Sequence, residues 1–136
     1  MAYNMSYTSL PTFLSNSIGY NAIQNITSVT LPDFNPPASV TVLNQVILPG
    51  VYAFSSVLST NTLPAGDTIN AVLETGSGPI CSGTQKNNGT GSVSDCVTLS
   101  HIFTVNASTS VILIFSQSGT IATLDCTYSY GLVRIA

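Results

Sequence analysis

From residue 22 to residue 135 no window keeps an apolar stripe at the spacing of three and four that a helix requires. Short runs of β-branched and aromatic residues alternate instead with clusters of Gly, Pro, Asn and Ser. That pattern predicts an all-β chain, with strands near 22–31, 39–48, 51–60, 68–75, 97–106, 110–116, 120–126 and 127–135. The breaks between them are chemically explicit: "PDFNPP" at 32–37, "LPG" at 48–50, "LPAGD" at 63–67, "NNGTGS" at 87–92, "NAST" at 106–109 and "SGT" at 118–120. Each supplies a fixed φ, a tolerated positive φ or a self-capping side chain, which is how tight turns are made. Strands at this spacing predict an antiparallel β-sandwich or barrel. Residues 1–20 lack alternation and read as an N-terminal arm that orders against a neighbour, leaving residues 21–136 as one domain.

Several strands are apolar on both faces. In "PGVYAFSSVLS" at 49–59, Tyr52, Phe54 and Leu58 point one way while Val51, Ala53 and Val57 point the other. "VILIF" at 111–115 behaves in the same way, with Ile112 and Ile114 opposite Phe115. A strand of an antiparallel sandwich with one wet face alternates cleanly, so a doubly apolar strand needs a second cover. The simplest cover is another copy of the chain. By contrast "VTLSHIFTV" at 97–105 reads as an ordinary half-buried strand, with Phe103 and His101 on the face of Leu99, and Ile102 on the other.

Composition points the same way. Charged residues make up 5% of the 136, Ser and Thr supply about a quarter, and the mean hydropathy is +0.41. So little charge gives a lone domain little self-repulsion, which predicts life in an assembly. Lys86 and Arg134 are the only basic side chains and the formal net charge is −3, so nucleic acid and anionic membranes are poor partners. The longest apolar run falls far short of the roughly 20 residues that cross a bilayer. The first residues have neither the basic opening nor the apolar stretch of a secretion signal.

Chemistry-bearing residues are sparse. His101 is the only histidine, and its neighbours Leu99 and Phe103 favour a packed or interface role over a catalytic one. Cys96 lies an odd number of residues from His101 and so on the opposite face, which argues against a Cys/His zinc site. The carboxylates Asp33, Asp67, Glu74, Asp95 and Asp125 are scattered, and turn capping is the simpler reading of Asp67 and Asp95 than calcium binding. No G-x-S-x-G, phosphate loop or nucleophile with a base is present, so neither an enzyme nor a cofactor is expected. Cys81, Cys96 and Cys126 are an odd number. Cys81 and Cys96 bracket a polar loop, where a bridge would contribute about 3 kcal/mol, and two free thiols are the alternative. Cys126 reads as a buried thiol. Four N-x-[ST] sites occur, at Asn4, Asn25, Asn88 and Asn106, the last two in turn-like contexts.

"PGVYAF" followed by an alternating strand resembles the PGxYxF signature of the C1q/TNF-like trimeric jelly-roll domains, found in exosporium collagen-like glycoprotein heads and in viral surface proteins. The closing "TYSYGLVRIA" is similar to the last strand of that family, with Tyr130 standing between Ser129 and Gly131. The order also fits: the aromatic strand first, "INAVLE" next, "HIFTV" and "VILIF" as a late hairpin, and a Gly-containing strand last. The resemblance covers residues 39–136. It implies a C1q/TNF-like antiparallel jelly roll with Tyr52 and Phe54 inside, joined in the core by Phe103 and Phe115. It also implies a compact homotrimer with apolar contacts. Burying about 1,000 Å² per subunit gives a gross term of about 25 kcal/mol, above the cost of association. Tyr128, Tyr130, Leu132 and Arg134 on the last strand, with Ile112 and Ile114, are the expected subunit contacts.

The function expected on these grounds is that of a non-enzymatic structural or adhesive module. It would be the homotrimeric head of a virion spike, vertex or fibre, or of a spore or cell surface. Its partners would be its own copies, other virion or surface-layer proteins, and a host glycan or receptor. Two rivals stand beside it: a carbohydrate-binding module, and a filament subunit in which the arm adds a strand to the next sheet.

Overall fold

The computed structural model describes Gly19 and residues 21–32, 39–119 and 121–136. The 1–20 arm, apart from Gly19, and Asp33 therefore lie outside the described residues. Eight strands follow in order: β1 (Asn21–Pro32), β2 (Val40–Ile47), β3 (Gly50–Leu63), β4 (Thr68–Thr75), β5 (Gly78–Lys86), β6 (Val93–Val105), β7 (Thr109–Ser118) and β8 (Thr123–Arg134). They form two four-stranded antiparallel sheets, ordered β1-β8-β3-β6 and β2-β7-β4-β5. Only β4 and β5 are consecutive neighbours in one sheet. Every other connection crosses between sheets, which is the winding of a jelly roll. The chain is an all-β antiparallel sandwich of that kind.

Alternation sets the core. Tyr52, Phe54 and Leu58 of β3 face inward, against Val111, Leu113 and Phe115 of β7 and Ile69, Ala71 and Leu73 of β4. Tyr52, Phe54 and Phe115 are buried as expected, whereas Phe103 is half-buried and packs at the margin of the core. The interior tyrosine keeps its polar atom satisfied, because its hydroxyl donates to the carbonyl of Leu48 at 2.7 Å.

The structure corrects three readings of the chain. β5 is a strand where a loop was expected, since "GPICSGTQK" has few β-branched residues and pairs only with β4 at a sheet edge. Residues 123–134 form one strand, not two, because Cys126 and Thr127 continue an unbroken ladder opposite Val29 and Ser28. The strands carrying "HIFTV" and "VILIF" are not a hairpin: β6 and β7 belong to different sheets.

One end of the sandwich is closed by a buried asparagine. Asn87 donates through Nδ2 to the carbonyls of Leu63 (2.8 Å) and Gly91 (2.7 Å), and its Oδ1 accepts from the Gly89 amide at 2.8 Å. Its own backbone joins this loop to the β3–β4 turn, accepting from Gly66 N and donating to Asp67 O. Asn87→Ala strands the Leu63 and Gly91 carbonyls and the Gly89 amide and is expected to cost about 2–3 kcal/mol, read as a lower midpoint in urea.

Candidate functional site

The outer surface of the β1-β8-β3-β6 sheet is divided in two. Ladder pairing builds one half in rows: Ile23, Gly131, Ser55 and Ser100 across the four strands, then Val133, Ala53 and Ile102 beside them, and Ser129, Val57 and Thr98 on the other side. Ile23 is 63% exposed, Ile102 65% and Val57 39%. The small residues Ser55, Ser129 and Gly131 form the floor of a trough between these walls. A bulge between Gln24 and Thr27 sets two residues, Asn25 and Ile26, opposite Ser129, and Ile26 emerges 78% exposed. Among the described residues no charged side chain stands in this half. The other half is hydroxylic, and its groups bond one another: Thr30 to the Asp125 carboxylate at 3.1 Å and Ser59 with Thr127 at 3.0 Å.

Four of the six expected subunit-contact residues are placed otherwise than expected. Tyr128, Tyr130, Leu132 and Arg134 do share a face, but it is the inner one. Leu132 is fully buried, Tyr128 meets Phe115 edge to face across the sandwich at 5.4 Å, and Tyr130 stacks on Tyr128 at 6.3 Å. Burial raises the Tyr130 hydroxyl above its ordinary pKa, with a smaller push from Tyr128. Arg134 sits at the sandwich end, where Nε donates to the carbonyl of Ala136 at 3.1 Å. The rings fill inter-sheet space while the guanidinium reaches the open end. Ile112 and Ile114 do point outward, half-buried, on the second sheet.

Ile23 and Ile26 escaped the sequence reading because the bulge breaks alternation. Their spacing of three inside a strand is the one signal that could have revealed it.

The cysteines are free. Cys81 turns inward on the second sheet, beside the core, while Cys96 is exposed on the outer face of the first, so no bridge joins them. Cys126 is buried, and burial pushes its thiol up to about 11 from 9.0; a hydrogen bond from Thr60 opposes the rise and the charge of Asp125 adds to it. The unfolded thiol ionises first, so this group's contribution to stability falls as pH climbs from about 9 to about 11. A thiol reagent at pH 8 is expected to modify Cys96 at once and Cys126 only on unfolding, with equal rates contradicting the placement.

Among the described residues no three His, Cys, Asp or Glu side chains gather to hold a metal. Asp67 is buried at a turn, and the Asp95 carboxylate accepts from the Cys96 amide at 2.9 Å. His101 stacks on Phe103 at 6.2 Å. Among the described residues no helix is long and apolar enough to cross a membrane.

Fold and surface together define a jelly-roll sandwich with a sheet face that, among the described residues, is apolar, exposed and without charge. Comparison with models of known protein families and with curated proteins finds no match.

Proposed function

We propose that this protein is a non-enzymatic structural or attachment module, a homotrimeric jelly-roll head of the C1q/TNF-like kind at a virion, spore or cell surface. One observation carries the reading: the outer face of the β1-β8-β3-β6 sheet presents Ile23, Ile26, Val57 and Ile102 to solvent with no charge among them. Isolated exposed apolar residues are ordinary, but a contiguous charge-free patch on a sheet is a contact surface. The "PGVYAF" and "TYSYGLVRIA" resemblance supplies the three-fold symmetry, and the low charge of the whole chain favours assembly. In this arrangement three copies turn the same sheet toward a common axis. The trough over Ser55, Ser129 and Gly131 receives large apolar side chains from the neighbour.

Sedimentation of the intact protein at micromolar concentration tests the proposal. The expected species is three times 14.1 kDa, about 42 kDa. A monomer that persists across dilution would overturn it.

A further inference from the structure

We propose a second site, for a neutral saccharide, in the groove between the β4–β5 turn and the β6–β7 turn. The groove has a volume of about 440 Å³, within the size range of small-ligand sites, and shares no lining residue with the trough of the outer sheet face. Its floor is apolar: Ile80 and the half-buried Phe103, whose ring is fixed by stacking with Tyr52 at 5.8 Å and His101 at 6.2 Å. Its rim is polar, from Ser77, Thr104, Asn106 and Ser108, all exposed.

Three features select the ligand. Among the described residues no charged side chain lines the groove, so a phosphate, sulfate or carboxylate finds no counter-charge there. The four rim side chains make no hydrogen bond to any described residue, whereas the polar groups in the hydroxylic half of the outer sheet face bond one another. They are free to exchange water for a ligand's hydroxyls. An apolar floor beneath such a rim matches a pyranose, which has a C–H face and a girdle of hydroxyls. The two turns are also braced together, since the Gly76 amide donates to Thr109 Oγ1 at 2.9 Å. The groove thus exists before the ligand arrives, which lowers the ordering cost of binding.

The test uses the full chain, made in a host that does not glycosylate Asn106. The protein is applied to an array of neutral and anionic glycans, with saturation-transfer NMR on lactose and sialyllactose. Binding of neutral glycans is expected, with sialylated or sulfated forms no stronger. Ser108→Arg fills the groove from an exposed position and is expected to weaken binding at least tenfold with unchanged melting. Asn106→Ala is expected to weaken it several-fold. Absence of any neutral-glycan signal, preference for anionic glycans, or wild-type binding by Ser108→Arg would overturn the site. The array signal gains from valency, but the NMR readout of single sites does not depend on the oligomeric state, which sedimentation reads separately.

Discussion

Replacing Gly119 by alanine is expected to lower the melting temperature by roughly 10 °C, a loss of about 3 kcal/mol. A Cβ at this position would overlap the carboxylate of Asp67. That side chain has little room to yield, because Asp67 is 1% exposed and its backbone is held on both sides. Its amide donates to Pro64 O at 3.1 Å and its carbonyl accepts from Asn87 N at 2.9 Å. Close by in sequence, Gln117 is fully buried and anchored through Nε2 to the carbonyls of Pro32 and Ile121. The added methyl must therefore displace a buried, braced polar group instead of a loose surface chain. A double-mutant cycle isolates the cause. In an Asp67→Ala background the methyl has space, and the further cost of Gly119→Ala is expected to drop below about 1 kcal/mol. A full cost in that background would place the effect in the turn's backbone.

The double substitution Ile23→Asp and Ile102→Asp is expected to convert the proposed trimer to a folded monomer. Both positions are more than half exposed in the single chain, so the sandwich itself tolerates polar replacements there. Packed against a neighbour, each carboxylate would lose water without gaining a partner, because no basic side chain stands in the apolar half of this face. Six such groups around one axis are expected to weaken association more than about a thousandfold, equivalent to roughly 4 kcal/mol. Light-scattering mass reads the dissociation and circular dichroism the retained fold. An unchanged trimer would move the contact to another surface, with Ile112 and Ile114 of the second sheet the next to test.

Much of the fold was legible because alternation and turn chemistry are local signals. β3 and β7 follow their apolar pattern residue by residue, and the turns at 48–49, 64–67 and 106–108 fall at their Pro, Gly and Asn clusters. β5 was not legible, since an edge strand with Gly83, Pro79 and four polar residues is held by its ladder to β4 and not by its own propensity. The inward face of β8 was misjudged for a related reason. Which side of a strand meets the core is decided by register against β1 and β3, and the sequence of β8 alone does not carry that register. The outer trough was only half visible: Ala53, Val57 and Ile102 follow from alternation, but Ile23 and Ile26 depend on a bulge, a tertiary feature.

Carbene footprinting of the native protein at micromolar concentration tests the shelter of this face most directly, since it labels side chains in proportion to their contact with water. Protection of Ile23, Val57 and Ile102 is expected, while Val46, 59% exposed on the other sheet, labels freely as an internal reference. Labelling of Ile23, Val57 and Ile102 to the same degree as Val46 would show that nothing covers the face, and would contradict the trimer.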